Sequence, residues 1–325
     1  MRVVRRVLPL PYLPRKIIRS IRKDVLKHES AVIPVYDFRL EVPFQPGIGL
    51  HLFLFGERER DQYEIISSVI RKGGNVLDIG ANIGYYCILE ALQVGPEGRV
   101  YAFEPDRRNL EYLSHNIGLN GCGDRVVIHE AAISNFTGEA KFVLAKRANL
   151  NAMERSRGDE HESIQSRGLA NRAYIGEVDI KVVDLGEFLA SLTDRIDLIR
   201  MDLEGHEVRI LSSLVTSALE LKPAGKLPKA IVFEPHSWEY TDGHDLQPEL
   251  KRLQDIGYAV TLLGSRDERD SPIRKFGYEP FLTVREKTGV TRGVYRDIDP
   301  DDALELASRV DGVTTVCLQL DAQAG

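Results

Sequence analysis

A turn rich in small residues follows an apolar run near residue 80, and its chemistry suits a nucleotide-type ligand. The segment reads VLDIGANIGYY, and its turn residues are Gly80, Ala81, Asn82 and Gly84. Small residues let the backbone bend sharply and approach a ligand closely, while the N-terminus of the following helix offers unpaired N–H groups. The pattern therefore indicates a nucleotide-type cofactor at this turn.

Two carboxylates accompany the turn. Asp78 lies two residues before the first glycine, and Glu104 ends the next apolar run, VYAFEP. An acid at the end of the second strand can accept hydrogen bonds from both hydroxyls of a ribose. Asp78 would sit poorly beside a pyrophosphate but well near an ammonium group and a sulfonium. Because Asn82 also replaces the middle glycine of the dinucleotide pattern, the spacing favours an adenosyl sulfonium over a dinucleotide.

These residues must be positioned by strands, and the repeated apolar runs of the chain predict such strands. Short apolar runs recur as VLDIG, VYAFEP, VVIHEAA, IDLIRMD and AIVFEP, and later as YAVTLL and TTVCLQL. Most are separated by segments long enough for a helix, which is typical of parallel strands joined by crossover helices. We predict a Rossmann-like α/β fold with a mostly parallel seven-stranded sheet flanked by helices, whose carboxyl strand ends hold the ligand.

The sequence resembles the FkbM methyltransferases, whose class I domain binds S-adenosylmethionine. The resemblance rests on DIGANIGYY, AFEPDRRNLEYLSHNIGLNG, HEAAISNFTGEAKF and IDLIRMDLEGHEVRIL, and it covers roughly residues 60–260. Near the fourth strand the family pattern usually has Lys where this chain has Arg200, an exchange that keeps the charge. The resemblance implies an S-adenosylmethionine-dependent methyltransferase.

The resemblance also implies a set of cofactor contacts. Asp78 and the glycine turn would surround the methionine end, Glu104 would hold the ribose, and the end of the third strand would lie near the adenine. The predicted cofactor-binding residues are Asp78, Gly80, Ala81, Asn82, Gly84, Tyr85, Glu104, Glu130, Ala131 and Asp202.

The fourth predicted strand leads into MDLEGHE, which holds the candidate catalytic residues. The expected reaction is attack of a hydroxyl oxygen on the sulfonium methyl, and an alcohol is a poor nucleophile until its proton is removed. We consider Asp202, Glu204 and His206 for this role. Asp202 should emerge close to the departing methyl. His206, with an ordinary pKa of about 6.5, either accepts the proton or merely packs in the next helix.

The end of the fifth predicted strand, VFEPHSW, offers candidate substrate contacts. Glu234 and His236 would face the same crevice, and Trp238 could pack on a sugar or ring. The alternative is that Glu234 and His236 merely end the strand and that Trp238 packs in the core. Asp202, Glu234 and His236 could also form an oxygen-rich metal site, but their spacing along the chain does not establish one, and we predict no metal.

Net charge and cysteine content limit the classes of partner and the cellular location that we expect. The 325 residues carry a formal net charge of -6, which argues against a surface adapted to nucleic acid. The 3 cysteines are widely separated and match neither a disulfide framework nor a zinc-ligand spacing, so a reducing, cytoplasmic location is expected. The expected acceptor is a small molecule, a sugar or a glycan.

The predicted organisation has two parts. Residues 1–58 form a basic helix and a small β cap, and residues 59–325 form the methyltransferase domain. The segment Arg15 to Leu26 has amphipathic spacing among basic residues, which suits either packing on the domain or peripheral contact with an anionic membrane. Residues 145–176 are polar and are predicted to form a surface loop or a mobile lid.

Three alternative functions remain open at this stage. Amino-directed nucleic-acid methyltransferases typically have Asn or Asp, two prolines and an aromatic after the fourth strand, where this chain reads DLEG; some RNA and protein methyltransferases lack that signature. A nicotinamide-dependent oxidoreductase could use the same fold, although the glycine spacing argues against it. A non-enzymatic cofactor-binding module is the last alternative.

Overall fold

The computed structural model describes residues 29–44, 47–145, 152–153, 174–241 and 244–321. The predicted basic helix, Arg15 to Leu26, and most of the predicted polar loop 145–176 lie outside these residues. Within the described ranges, no helix combines the length and the apolar character needed to cross a membrane.

Strands and helices alternate along most of the chain. The strands are β1 (Ser30–Val35), β2 (Phe38–Pro43), β3 (Asn75–Ile79), β4 (Arg99–Phe103), β5 (Val126–His129), β6 (Ala132–Ser134), β7 (Gly138–Ala145), β8 (Ala152–Met153), β9 (Tyr174–Asp184), β10 (Leu198–Met201), β11 (Ala230–Phe233), β12 (Tyr258–Ser265), β13 (Leu282–Arg285), β14 (Thr291–Tyr295) and β15 (Val313–Leu320). The helices are α1 (Ile48–Phe55), α2 (Arg60–Val69), α3 (Tyr85–Val94), α4 (Arg107–Leu119), α5 (Leu185–Ser191), α6 (Glu207–Leu221), α7 (Leu246–Ile256), α8 (Pro272–Lys275) and α9 (Pro300–Arg309).

The main sheet has the order β13-β14-β12-β15-β11-β10-β3-β4-β5. The strands from β11 to β5 pair in parallel, whereas β15 is antiparallel to both β11 and β12. Leaving β15 aside, the order from β5 to β12 is the 3-2-1-4-5-6 order of a Rossmann sheet. The reversed β15 is inserted between the fifth and sixth strands. The prediction of a Rossmann-like α/β fold is confirmed.

The sheet is larger than the predicted seven strands, because a hairpin of β13 and β14 extends it beyond β12 to nine. This hairpin was not predicted. Its strands, LTVR and TRGVY, are short and mix apolar and charged residues, so they lack the apolar runs of the central strands; β13 forms the edge of the sheet. In the cap, the antiparallel hairpin β1–β2 is present. The following run IGLHLFLF forms helix α1 instead of the predicted strand, since a short apolar run fits either structure.

A second sheet, which the sequence analysis missed, lies between β5 and α5. Its order is β6-β9-β7-β8, and its strands β8 and the start of β9 fall inside the segment predicted as a loop. A small core of Phe142, Ile180 and Val182 supports it. The sheet brings the chain from the tip of β5 back to helix α5.

Apolar side chains cover both faces of the main sheet. One face packs against α6, α7 and α9 through residues such as Ile199 and Leu211. The other face packs against α2, α3 and the cap hairpin, whose Val35 and Leu40 belong to the same continuous core as Val76 of β3. The three cysteines are buried and free. The cap hairpin and the sheet therefore share one core.

One buried side chain fastens the cap hairpin to the sheet domain. Asn116 of α4 is fully buried; its Oδ1 accepts from the backbone N–H of Glu41 at 2.6 Å, and its Nδ2 donates to the carbonyls of Glu41 and Ile83 at 3.0 and 2.8 Å. Glu41 and Ile83 are themselves buried, so these backbone groups depend on the amide for their hydrogen bonds.

We therefore expect Asn116→Ala to lower the free energy of unfolding by about 3 kcal/mol, because it strands buried donors and acceptors. Urea denaturation measures the change. Asn120→Ala is the matched control, since Asn120 makes equivalent bonds to the backbone of Arg39 at an exposed position. Equal losses for the two variants would contradict the role given to burial.

Candidate active site

The glycine-rich turn after β3 lies against the tips of two neighbouring strands. The backbone N–H groups of Gly80 and Ala81 donate to the carbonyl of Phe103, at the end of β4, at 2.9 and 3.0 Å. Gly80 has φ 80° and Asn82 has φ 53°, both in the left-handed region. A Cβ at position 80 would lie 3.1 Å from the carbonyl oxygen of Asp202, so this position requires glycine.

Glu104, the predicted ribose ligand, lies beside this turn and is only 4% exposed. Its Oε2 accepts from the N–H of Asn82 and its Oε1 from the N–H of Asp106, both at 2.8 Å, with Asn109 Nδ2 at 3.3 Å. Burial raises the pKa of Glu104 to about 7, although these hydrogen bonds oppose the rise. The structure thus brings the turn and Glu104 together, as the sequence predicted.

Beneath the turn, Arg200 of β10 joins several acidic groups. Asp78 is directly opposite Arg200 in the β3–β10 register, and Nη1 of Arg200 lies 3.3 Å from Asp78 Oδ1 and from the carbonyl of Gly80. Nη2 lies 3.3 Å from Asp202 Oδ2, and the guanidinium carbon is 4.2 Å from the ring centroid of Tyr86. Asp78 is fully buried. Its partner in the structure is therefore Arg200, and its predicted contact with the methionine end stays a prediction.

A further buried acid interacts electrostatically with Arg200. Glu90 of α3 is fully buried, and within the described residues its carboxylate oxygens have no hydrogen-bond partner. Burial and the nearby Asp78 raise the pKa of Glu90 well above its ordinary value, while Arg200 opposes the shift. Gln62 of α2 accepts from Nη2 of Arg200 at 3.3 Å. One arginine thus holds together β3, β10, α2 and α3.

Three polar residues from two strand tips form a cluster at the crevice. One oxygen of Asp202, one oxygen of Glu234 and one ring nitrogen of His236 lie within 4.8 Å of one another. Nε2 of His236 is 3.9 Å from Asp202 Oδ1, and its Nδ1 is 2.5 Å from Oε1 of Glu207, which is fully buried at the start of α6. Spacing along the chain could not reveal this grouping.

The charges of the cluster shift one another. Burial, followed by the charge of Asp202, raises the pKa of Glu234 to about 8. Burial would lower the pKa of His236, but the carboxylates of Glu207, Glu234 and Asp202 raise it to about 10. Burial opposes ionisation of Asp202, yet Arg200, His236 and Arg58 hold its pKa below the ordinary value. The surroundings therefore favour the protonated forms of Glu234 and His236 and the ionised form of Asp202.

One wall of the crevice comes from the segment before α2, which the sequence analysis passed over. The guanidinium of Arg58 pairs with Glu59, and Glu59 accepts from the hydroxyl of Tyr86 at 3.1 Å. Burial would lower the pKa of Arg58, but the charges of Glu59, Asp202 and Glu234 raise it. The charged run GERERD was the available signal, but such runs usually lie on solvated surfaces.

Other predicted cofactor contacts are buried or paired elsewhere. The hydroxyl of Tyr85 donates to the carbonyl of Arg58 at 2.9 Å, and Tyr85 is 2% exposed. Glu130 lies at the surface, where its carboxylate accepts from Arg107 at 2.6 Å, and Ala131 is buried in the core. The predicted roles of these residues stay predictions.

The predicted catalytic residues separate in space. His206 directs Nε2 to the hydroxyl of Ser134, 3.0 Å away at the end of β6, and it is not one of the three clustered residues. Glu204 adopts φ 50° in the turn after β10. Of the three candidates, Asp202 is therefore the one that belongs to the cluster.

Trp238 lies beside the cluster at the surface. It is 52% exposed, its ring is 5.2 Å from the ring of His236, and the guanidinium carbon of Arg266 lies 5.8 Å from its centroid. The alternative that Trp238 is a core residue is wrong. Its exposed face is available to a ligand.

The strand order and the glycine turn, whose spacing departs from the dinucleotide pattern, define a Rossmann-like domain. The model of the FkbM methyltransferase domain matches residues 78–260, and the chain belongs to this family. This membership sets aside the oxidoreductase and the non-enzymatic module.

Individual proteins give weaker similarities. Methyltransferase sdnD of Sordaria araneosa is 26% identical over 204 residues, which cover 57% of this chain and 74% of that protein. Among solved structures, an S-adenosylmethionine-dependent O-methyltransferase of Thermotoga maritima is 13% identical. The match covers 81% of this chain and 66% of the Thermotoga maritima chain, with a TM-score of 0.38. Precorrin 8w decarboxylase of Methanobacterium thermoautotrophicum has 14% identity, 88% and 98% coverage, and a TM-score of 0.39. None of these similarities identifies an acceptor.

We expect Arg200→Met to lower the free energy of unfolding by about 3–5 kcal/mol, because it leaves buried Asp78 without its partner. Urea denaturation measures the loss. Lys141→Met, which breaks an exposed pair with Asp179, is the control and should cost less than about 1 kcal/mol. A loss below 1 kcal/mol for Arg200→Met would show that the buried cluster does not depend on the guanidinium.

Proposed function

We propose that this methyltransferase transfers the methyl group of S-adenosylmethionine to a hydroxyl oxygen of a sugar, a glycan or another small molecule. The observation that carries the proposal is the position of Glu104 beside the glycine turn, at the sheet edge where the parallel strands β10 and β11 also end in acidic residues. The cofactor would lie across these tips, with its adenosyl part over Glu104.

The bonding of Glu104 supports the ribose part of the proposal. An ionised carboxylate has about four acceptor sites. Two are filled by backbone N–H groups, and a third by the long contact with Asn109. The free site, together with the one that Asn109 uses, can accept both ribose hydroxyls. Backbone donors also fix the carboxylate before the ligand arrives, which lowers the entropy cost of binding.

The acidic tips support the sulfonium part. Asp202 and Glu234 lie at adjacent strand ends, where negative charge attracts a sulfonium cation. In the reaction, a lone pair of the acceptor oxygen forms a bond to the methyl carbon. The carbon–sulfur bond breaks, its electron pair stays on sulfur as the neutral thioether of S-adenosylhomocysteine, and the hydroxyl proton leaves the oxygen.

The departure of that proton needs help from the protein. Arg200 and His236 hold the pKa of Asp202 low, which makes its carboxylate a weak base. His206 directs a ring nitrogen to Ser134 and would have to turn away from it to act as a base. An alcohol bound beside Asp202 therefore requires activation beyond a single carboxylate.

An acceptor with a ring fits the surface next to the cluster. The exposed face of Trp238 can pack on the apolar face of a sugar, because aromatic rings contribute large contact areas. Nucleic-acid and protein acceptors are the competing outcome. A methyl-transfer assay with radiolabelled S-adenosylmethionine against alcohols, glycans, RNA and protein distinguishes them.

Cofactor binding is tested by thermal denaturation with S-adenosylmethionine, S-adenosylhomocysteine or NAD. A ligand at a hundredfold excess over its Kd stabilises the folded state by about 2.7 kcal/mol, and we expect this from the two adenosyl ligands alone. Stabilisation by NAD alone would overturn the proposal. Glu104→Gln should weaken S-adenosylhomocysteine binding about tenfold or more, whereas Glu97→Gln, in an exposed turn before β4, should leave it unchanged.

The raised pKa of Glu104 predicts a pH dependence of cofactor binding. Below its pKa of about 7 the carboxyl gains a proton and loses acceptor sites, so the ribose hydroxyls bind less well. We expect the Kd of S-adenosylhomocysteine, measured by calorimetry, to rise as the pH falls from 8 to 6, by at most about tenfold per pH unit. The Glu104→Gln variant should lack this dependence; an identical slope in the variant would assign it to another group.

A further inference from the structure

We propose that Asp202, Glu234 and His236 bind one divalent cation of the Mn²⁺ type at the tips of β10 and β11. These residues were considered as a metal site from the sequence and set aside, because spacing alone could not join them. In the structure they meet in one cluster.

The geometry of the cluster suits a single ion. One ligand atom from each residue lies within 4.8 Å of the other two, and Nε2 of His236 is 3.9 Å from Oδ1 of Asp202. Two ligands on opposite sides of an ion are about 4.2 Å apart when each bond is about 2.1 Å long. Small rotations of the two carboxylates would bring all three ligands within bonding distance.

A buried carboxylate orients the histidine as a metal ligand requires. Nδ1 of His236 is 2.5 Å from Oε1 of Glu207, which also accepts from the hydroxyl of Tyr240 at 3.4 Å. Both His236 and Glu207 are more than nine-tenths buried, and within the described residues Oε2 of Glu207 has no hydrogen-bond partner. A carboxylate on one ring nitrogen fixes the imidazole and leaves the other nitrogen free for a cation. Glu207 is thus a positioning residue.

The nearby cations are shared with other carboxylates. Arg58 is paired with Glu59, and Arg200 is shared between Asp78 and Asp202. The carboxylates of Asp202, Glu234 and Glu207 lie around one imidazole. Carboxylates grouped in this way attract a divalent cation.

The ligand types favour Mn²⁺ over its competitors. Two carboxylates suit hard cations such as Mg²⁺ and Mn²⁺, and the imidazole nitrogen shifts the preference towards a transition metal. The side chain of Asp202 is 25% exposed, so remaining coordination positions can face the crevice. Water or an acceptor oxygen can occupy them.

The role of the ion rests on the proposed function. A cation held by Asp202, Glu234 and His236 would lower the pKa of an acceptor hydroxyl bound to it, and the hydroxyl proton would leave to solvent. This supplies the activation that Asp202 alone, as a weak base, does not. Trp238, at the surface beside His236, would hold the rest of the acceptor.

Metal binding is measured directly on the metal-free protein by titration with Mn²⁺, since bound Mn²⁺ loses its solution electron paramagnetic resonance signal. We expect one Mn²⁺ per chain and displacement by Mg²⁺ in excess. His236→Ala and Glu234→Gln should each weaken binding about tenfold or more, and Glu207→Gln about 10–100-fold. Glu97→Gln is the matched control and should bind as the unmodified protein does.

Each variant is also titrated with S-adenosylhomocysteine, which shows that it is folded and separates the two proposals. A protein that binds S-adenosylhomocysteine but no Mn²⁺ overturns the metal site and leaves the proposed function standing. A protein that binds Mn²⁺ but no S-adenosylhomocysteine overturns the proposed function and leaves the metal site standing. Unchanged Mn²⁺ affinity in folded His236→Ala and Glu234→Gln variants would place the ion elsewhere and overturn the site.

Discussion

The burial of Arg200 is the constraint on which the crevice depends. A guanidinium placed inside a sheet must be neutralised, and here Asp78 lies opposite it while Asp202 lies at the strand tip. The same group donates to the carbonyl of Gly80, so the glycine turn and the tip of β10 are held at one distance. An interior ion-pair cluster thus links the glycine turn to the tip of β10.

The two halves of the crevice are built by different means. Around Glu104 the two short contacts come from backbone N–H groups, and the side chain of Asn109 adds a longer one. Around Asp202, Glu234 and His236 the contacts are between side chains whose charges alter one another. A backbone-built half is well suited to a constant ligand, whereas the side-chain half can change its charge and its chemistry with few substitutions.

Local patterns made much of this predictable. The apolar runs identify the central strands, and the small residues around Gly80 identify the sharp turn after β3, because both depend on neighbouring residues in the chain. The approach of Glu104 to the turn follows from the adjacency of consecutive parallel strands. The pairing of Glu207 with His236 does not, since it joins two elements that are 29 residues apart.

The other features that the sequence did not predict also depend on contacts between residues that are distant along the chain. The hairpin of β13 and β14 consists of short strands of mixed polarity without an apolar run, and the orientation of His206 towards Ser134 depends on a small sheet that the sequence did not reveal. Arg200 was read as a harmless exchange for Lys. Its planar fork in fact reaches Asp78, Asp202 and Gln62 at once, which a single ammonium group cannot do with the same geometry.

The contribution of residues 58–62 affects how the enzyme can be divided. Arg58, Glu59 and Gln62 reach the crevice from a stretch that precedes the family-matched residues 78–260. A fragment that begins at β3 would lack these three side chains. A chimaera that exchanges the leading segment for another would therefore change the charge that Asp202 and Glu234 face from Arg58.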